Sequence, residues 1–247
     1  MIIANWKANG SLLSNLKWCN FFIENCPKEI ISDVGIAPSS LHLSQVKELL
    51  GLSNAKIGIQ DIDIKGGART GSISGEMAAD MGCDFSLIGH SERRTFFNER
   101  NSLLSQKIES SYQANIQPIL CIGETSEDNE RGNTRNVLKA QILEVISNIG
   151  IKKNFIIAYE PVWAIGSGKT PKAKDINVIH EFIKDVVQSV TSNNVVPLVL
   201  YGGSINEGNS EDFFKEKNID GGLIGGASLD AEEFLKIVNI YNRLITQ

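Results

Sequence analysis

Short apolar runs rich in β-branched residues recur eight times along the chain, with longer segments of mixed polarity between them. Apolar residues in each run follow one another nearly unbroken instead of alternating with polar residues. Each run therefore predicts a strand that is buried on both faces, as in a parallel sheet. The eight runs are IIANW from Ile2, DVGIAP from Asp33, KIGIQ from Lys56, FSLIG from Phe85, QPILCIG from Gln117, FIIAYEP from Phe155, VPLVLYGG from Val196 and GGLIGG from Gly221.

The segments between these runs have the hydrophobic period of amphipathic helices. A return to a parallel strand needs a crossover connection, which a helix normally supplies. Eight strand–helix units match the closed (β/α)8 barrel and its usual length of about 250 residues, while an open doubly wound sheet fits the same alternation. We therefore expect an α/β fold, a closed (β/α)8 barrel, in a single domain spanning residues 1–247. The clearest helical faces are formed by Leu138, Ile142, Val145 and Ile149 and by Phe234, Ile237, Val238 and Tyr241.

Composition and charge narrow the classes of function. A chain of 247 residues with 42% apolar residues can bury a substantial core. Its net charge of -5 argues against a nucleic-acid or anionic-membrane partner, because both normally require a clustered basic face. Asn5 and Lys7 interrupt the first apolar run too early for a signal peptide, and no run approaches the length of a membrane span. We expect a cytoplasmic protein.

Cysteine and histidine spacing predicts no metal site. The four cysteines form no C-x-x-C pair, and the three histidines are far apart without an H-E-x-x-H pattern. A chain of this length does not need disulfide bonds to stabilise its core. We expect free and mostly buried thiols.

In a barrel of this kind, functional residues lie at the carboxyl ends of the strands. Asn5 and Lys7 flank Trp6 at the end of the first run. Side chains two positions apart on a strand share a face, so an amide and an ammonium are both expected in the barrel mouth. A surface lysine just beyond a strand is the alternative interpretation of Lys7.

His90 ends the fourth run, in the stretch LIGHSERR. Gly89 allows a close turn, and the Ser-Glu pair after the histidine suits the first turn of a helix. An imidazole at a helix N-terminus is discouraged from taking up a proton, so we expect a neutral His90 that donates a hydrogen bond. A purely structural histidine is the alternative. Arg93 and Arg94 are expected to have structural roles and not to clamp phosphate.

The stretch AYEPVWAIGSGKT after the sixth run ends like a nucleotide-binding phosphate loop. That motif requires a glycine five positions before Gly168, where this chain has Trp163. It must also continue into a helix, which Pro171 disfavours at the preceding residue. A proline after Glu160 and a Gly-Ser-Gly near the far end instead predict a segment that swings over a site.

Glu160 itself is either a buried salt-bridge partner or a general base. The apolar residues 162–165 beside it favour the base, because a covering that excludes water strengthens a carboxylate in that role.

The last two runs end in YGGSI and LIGGAS. Either glycine pair alone would be compatible with an ordinary tight turn. In eight-stranded barrels, however, the loops after the last two strands commonly bind phosphate through uncovered backbone N–H groups and a short helix N-terminus. Two such pairs after consecutive final strands therefore predict a phosphate site around Ser204, Gly225 and Gly226.

Along essentially its whole length, the chain resembles the triosephosphate isomerase family. Five stretches carry the resemblance, in the family's order. The resemblance implies a TIM barrel that interconverts dihydroxyacetone phosphate and D-glyceraldehyde 3-phosphate without a metal, nicotinamide or flavin cofactor. The stretches are Asn5-Trp6-Lys7, Gly89 to Arg94, Ala158 to Gly166, Tyr201 to Ser204, and Gly225 to Leu229.

The same resemblance implies a role for each candidate site residue. Glu160 would take a carbon-bound proton and return it to the neighbouring carbon. His90 would donate to the carbonyl oxygen, and Lys7 and Asn5 would stabilise the enediolate. Removing a proton next to a carbonyl leaves charge on oxygen, so fixed donors must already point at that oxygen. The implied substrate-binding residues are Asn5, Lys7, Gly166, Ser204, Gly225 and Gly226.

The resemblance further implies a homodimer in which loop 61–75 enters the partner subunit, with Thr70 at its tip near the partner's Lys7 region. A loop of this length would otherwise suggest disorder or a lid. The chain departs from the family's usual pattern at Ser167 and Pro171 in the lid and at Arg69 in the loop.

Three rival interpretations make different demands on the sequence. Another phosphosugar enzyme on the same barrel would keep the final glycine pairs without the combination of Lys7, His90 and Glu160. A non-catalytic barrel would be expected to have lost at least one of these three residues. A nucleotide hydrolase, suggested by Gly168-Lys169-Thr170, would require magnesium and a nucleotide.

Overall fold

The computed structural model describes residues 1–51, 53–147, 149–152, 154–165, 170–191 and 194–246. Within these residues, eight parallel strands close into a barrel in chain order, and β8 pairs with β1 to complete the ring. The closed barrel confirms the predicted fold over the open doubly wound sheet. The strands are β1 (Ile2–Asn5), β2 (Val34–Ala37), β3 (Lys56–Ile59), β4 (Phe85–Ile88), β5 (Gln117–Ile122), β6 (Ile156–Tyr159), β7 (Leu198–Tyr201) and β8 (Gly222–Ile224).

Helices follow the strands and pack against the outside of the barrel. Four short 3₁₀ turns in the described chain cover residues 31–33, 40–42, 162–164 and 226–229. The last two lie at the ends of β6 and β8, where they shape the barrel mouth. The α-helices in the described chain are α1 (Leu12–Asn25), α2 (Leu43–Leu50), α3 (Gly75–Asp80), α4 (Ser91–Phe96), α5 (Asn101–Gln113), α6 (Ser126–Glu130), α7 (Thr134–Ile146), α8 (Ala173–Val190), α9 (Ser210–Phe214) and α10 (Ala231–Ile245).

The predicted helical faces are buried, with one correction. Leu138, Ile142 and Val145 lie on the buried face of α7, and the predicted face of α10 is buried throughout. However, α7 ends at Ile146, so the prediction that Ile149 continues its face is wrong. Ile149 instead packs against the core from the connection to β6. Ile149 fits the helical spacing because it is also an apolar residue in contact with the core, and apolar spacing alone does not mark where a helix ends.

Successive strand residues enter two different apolar clusters. Ile3 belongs to the cluster inside the barrel, whereas Ile2 and Ala4 belong to the cluster between the barrel and the helices. The ring of Phe85 fills much of the interior, since a Cβ at Gly58 would lie 2.1 Å from it. The barrel is therefore a packed core, and a ligand site is expected at its end and not along its axis.

All four cysteines are free and buried, as the sequence predicted. Burial raises the pKa of the Cys19 thiol to about 12, because a thiolate loses its hydration there. In the part of the chain that the structure describes, no helix is both long and apolar enough to cross a membrane.

Candidate active site

An open cavity of about 370 Å³ lies at the carboxyl ends of five strands, where the connections after β1, β4, β6, β7 and β8 meet. Every predicted site residue that the structure describes lines it. Gly166, the remaining predicted residue, lies outside the described residues. The predicted residues on the wall are Asn5, Lys7, His90, Glu160, Ser204, Gly225 and Gly226.

Lys7 reaches the cavity through a turn and not through strand alternation. Strand β1 ends at Asn5, and Lys7 has a left-handed backbone with φ of 51°. Its N–H donates to Asn5 Oδ1 at 3.1 Å, and its carbonyl accepts from Gln60 Nε2 at 2.9 Å. The prediction that Asn5 and Lys7 share a strand face is therefore wrong, although both residues line the same cavity. Lys7 Nζ donates to Glu92 Oε1 at 2.5 Å.

His90 is the N-cap of α4 and lies at the cavity wall with its side chain largely buried. Gly89 turns the chain with φ of 71°, at a point where a Cβ would lie 2.4 Å from Leu104 Cδ1. Nδ1 of His90 accepts a hydrogen bond from the N–H of Glu92 at 3.3 Å. A ring nitrogen that accepts carries no proton, so the imidazole proton lies on Nε2. This geometry favours a neutral ring with its donor on the opposite edge.

Glu160 follows β6 and is 1% exposed. Its N–H donates to Ile122 O at 2.7 Å, and its Oε2 accepts from the N–H of Ser91 at 2.9 Å. Oε1 lies 3.1 Å from His90 Nε2 but makes no hydrogen bond with any described residue. One carboxylate oxygen is thus held in place while the other is available to take up a proton.

Gly202 makes room for this carboxylate. A Cβ at Gly202 would lie 2.8 Å from Glu160 Cγ, so the missing side chain at the end of β7 lets Glu160 pack into the mouth. The sequence pattern assigned the glycine pair at residues 202–203 to phosphate alone. Its first member also has this steric role, which no local sequence signal indicates.

The final glycine pair begins the 3₁₀ turn at residues 226–229, with Gly225 as its N-cap and Gly226 as its first residue. The first N–H groups of a helical turn have no partner within it, and here they border the cavity. A Cβ at Gly225 would lie 3.4 Å from Lys7 Cε, so the lysine stem passes close to this loop. Uncovered N–H groups beside a cation are suited to binding an anion such as phosphate.

The first half of the predicted lid is described and is tethered at three points. Trp163 Nε1 donates to Glu124 Oε1 at 2.7 Å, and the N–H of Val162 donates to Glu124 O at 3.1 Å. Ser204 Oγ donates to Ala164 O at 2.6 Å. The tip residues 166–169, which include Gly166 and Ser167, lie outside the described residues.

A sequence model of the triosephosphate isomerase family matches residues 1–241. The chain belongs to this family. The triosephosphate isomerase of Photorhabdus laumondii is 40% identical over 246 residues, which cover 96% of this chain and 95% of that protein. That of Legionella pneumophila strain Paris is 37% identical over 245 residues and 98% of both chains. That of Blochmanniella floridana is 41% identical, covering 99% of this chain and 96% of its own.

Two glutamates of this triosephosphate isomerase family member were not predicted as site residues. Glu92 forms the ion pair with Lys7, yet its sequence context indicates only a helix first turn. Glu124 is 1% exposed and accepts hydrogen bonds from Tyr159 OH and Trp163 Nε1. Burial raises the pKa of Glu124, while these hydrogen bonds oppose the shift. Its position just after β5, at the carboxyl end of a strand, was the one sequence signal that could have marked it as a site residue.

The two adjacent arginines have the structural contacts that were expected. Arg93 pairs with Asp61 at 2.9 Å and with Glu99 at 2.8 Å. Arg94 donates to the backbone carbonyls of Gly89 and Cys121. Neither arginine lines the cavity. Among the described residues, His, Cys, Asp and Glu side chains nowhere form a group that could hold a metal ion.

Loop 61–75 is ordered by its own contacts. The N–H of Asp63 donates to Ile73 O at 2.7 Å, and Arg69 Nε donates to Asp63 Oδ2 at 2.8 Å. This bond from Arg69 lowers the pKa of Asp63 to about 2. Arg69 is thus turned back onto its own loop, whereas Thr70 is exposed.

Proposed function

We propose that this protein interconverts dihydroxyacetone phosphate and D-glyceraldehyde 3-phosphate, the isomerase step of glycolysis and gluconeogenesis, through an enediolate. One observation carries the proposal. In a chain of this family, a buried carboxylate with a free oxygen, an imidazole with its proton on Nε2 and an ammonium converge on one cavity beside a glycine-rich loop. Each group matches one demand of the reaction.

Glu160 supplies the base. Its Oε1 takes the proton from the carbon next to the carbonyl. The electron pair of the broken C–H bond forms the C=C double bond of the enediolate, and negative charge collects on the carbonyl oxygen. Return of that proton to the neighbouring carbon, with transfer of the hydroxyl proton from one substrate oxygen to the other, completes the isomerisation. Because Ser91 holds Oε2, the free oxygen is fixed in direction.

His90 and Lys7 stabilise the charge on oxygen. The Nε2–H of His90 donates to the substrate oxygen, since Nδ1 is already occupied as an acceptor. Lys7 adds a positive charge, whose position is set by Glu92 and by its turn after β1. Donors that are already in place when the charge develops lower the barrier without reorganisation.

The opposite end of the cavity binds the phosphate. Gly225 and Gly226 offer backbone N–H groups, Ser204 offers a hydroxyl, and Asn5 supports the turn of Lys7. Ser204 Oγ now donates to Ala164 O, so binding phosphate through its proton requires the lid to move. Gly166 joins this set from the family resemblance alone.

The functional unit in this proposal is a cytoplasmic homodimer of single (β/α)8 domains spanning residues 1–247, without a nucleic-acid or membrane partner. Loop 61–75 would insert into the partner, led by Thr70. Support comes from large apolar side chains that the chain leaves exposed to solvent. They include Leu12, Leu41, Met77, Phe96 and Phe97.

A coupled assay with dihydroxyacetone phosphate tests the function. We expect isomerase activity that a chelator does not reduce, and near-complete loss in Glu160→Gln, which keeps the size of the side chain. Glu109→Gln on the outer face of α5 is the matched control and should retain wild-type activity. A wild-type protein that leaves triose phosphates unchanged, or requires magnesium and a nucleotide, would overturn the proposal.

A further inference from the structure

Arg94 joins the carboxyl ends of two strands beneath the candidate active site. Its Nε donates to Gly89 O at 2.8 Å, and its Nη2 donates to Cys121 O at 2.9 Å. Gly89 directly follows β4 and Cys121 lies near the end of β5. Nη1 donates to Asn101 Oδ1 at 2.7 Å, which fixes the guanidinium from a third side. The side chain therefore forms a bridge between strands with its donors in one plane.

Each of the two strand residues that Arg94 contacts is connected through the backbone to a reacting group. Gly89 precedes His90 and has φ of 71°, so the orientation of its carbonyl sets the direction in which the imidazole leaves the strand. On the other strand, Cys121 precedes Ile122, whose carbonyl accepts from the N–H of Glu160. A shift between β4 and β5 would therefore change the distance between the imidazole and the carboxylate.

Arg94 and Glu160 also both line a second, smaller cavity of about 260 Å³. Ser91 and Cys121 line the same cavity. A buried carboxylate needs a compensating charge, and the guanidinium of Arg94 is a cation at this cavity. Burial lowers the pKa of Arg94, while the charge of Glu160 is one of those that oppose this shift.

We propose that Arg94 is a positioning residue for the isomerase reaction, holding the imidazole of His90 and the carboxylate of Glu160 at their working separation. This inference rests on the proposed function. Arginine suits the task because its rigid fork reaches three acceptors at once, whereas a lysine ammonium on a flexible stem cannot span the same carbonyls.

Three variants test the proposal. Arg94→Lys keeps the charge but loses the fork, and its kcat should fall on the order of 10- to 100-fold with little change in KM, as expected for a small misplacement of reacting groups. Arg94→Ala should fall further, and guanidinium at concentrations well below denaturation should restore part of its kcat by refilling the enlarged cavity. Asn101→Ala removes the third contact of Arg94, together with the exposed hydrogen bond from Asn101 to Glu144, and should stay near wild-type activity.

Two measurements separate positioning from a general loss of structure. The inhibition constant of inorganic phosphate should be unchanged in Arg94→Lys, because the proposed phosphate-binding loops follow β7 and β8, whereas Arg94 joins β4 and β5. Circular dichroism should show a folded barrel. The proposal is overturned if Arg94→Lys keeps its kcat, or if activity falls only with the folded fraction and guanidinium restores none of it. These results leave the isomerase function intact, whereas an inactive wild-type protein would remove the function itself.

Discussion

Glu160 reaches the cavity with one free carboxylate oxygen, whose place depends on the length of the side chain. Glu160→Asp keeps the carboxylate but withdraws it by one methylene group. We expect kcat to fall on the order of 100-fold, because a misplacement of about 1 Å has that effect, while KM changes little. Steady-state kinetics measures both constants, with Glu109→Asp on α5 as the control. A variant that retains nearly full kcat would remove Glu160 from the role of base.

His180 is expected to control stability and not catalysis. It is fully buried, its ring packs edge-on against Tyr159, and its Nδ1 lies 3.3 Å from Asn218 O. Burial lowers the pKa of His180 from 6.5 to about 3. The folded protein therefore resists the proton that the unfolded chain accepts, and stability is lost as the pH falls below 6.5. Between pH 6.5 and 5 the loss from this group is about 2 kcal/mol.

His180→Asn should remove this slope, because asparagine can still reach Asn218 O and does not titrate. The variant will be less stable at every pH, since a cavity opens beside Tyr159. The decisive quantity is the difference between the unfolding free energies of wild-type protein and His180→Asn, measured at one protein concentration from pH 8 to 5. We expect it to shrink as the pH falls. Parallel curves would show that His180 does not control the acid sensitivity.

Sequence reasoning located the residues that end strands and missed those that support them. His90 and Glu160 were found because an unusual polar residue directly follows an apolar run. Glu92 and Glu124 were missed because their partners, Lys7 and Trp163, are distant in sequence. A contact between residues 85 positions apart, as for Glu92 and Lys7, leaves no trace in local periodicity.

At the scale of elements, the strands were predictable because a strand buried on both faces needs an unbroken apolar run. Turns were less so. Lys7 was placed on a strand face by alternation, but β1 stops at Asn5 and the chain turns with a left-handed residue. That conformation is uncommon for lysine, so no propensity rule predicts it. The end of α7 before Ile149 was missed for a similar reason, since apolar spacing continued past the helix.

The segment after Glu160 is expected to protect the reaction intermediate from water. Its described part, residues 162–165, is tethered to Glu124 and Ser204 and contributes Ile165 to the cavity wall. Deleting residues 165–168 should leave the base able to act while exposing the enediolate to water. We expect slower isomerisation and a large share of methylglyoxal and inorganic phosphate among the products.

Product analysis decides this lid interpretation. Wild-type protein assayed in parallel should release almost no inorganic phosphate. A deletion variant that forms only isomerised triose phosphate would show that the segment does not protect the intermediate. The nucleotide-loop interpretation of the same stretch predicts instead that the deletion abolishes nucleotide binding.

For the whole molecule, the barrel followed from counting eight strand–helix units, since the count and the length together match a closed ring. The oligomeric state cannot be inferred from a count of strand–helix units. Loop 61–75 leaves Thr70 exposed, and its neighbour Arg69 is neutralised by Asp63 within the same loop. The unusual arginine therefore need not carry an unpaired charge into a partner subunit.

Thr70→Arg tests the proposed dimer at this point. The new cation would enter the partner's pocket near Lys7, with Asp63 already occupied by Arg69. Burying an unpaired charge costs several kcal/mol, and a two-fold dimer would bury it twice, so the dimer should weaken by at least about 100-fold. Sedimentation velocity at decreasing protein concentration measures the shift, and isomerase activity per chain should fall over the same range. Thr70→Val, which keeps the shape and adds no charge, should remain dimeric. If Thr70→Arg stays dimeric at the lowest concentrations, loop 61–75 does not enter a partner through this residue.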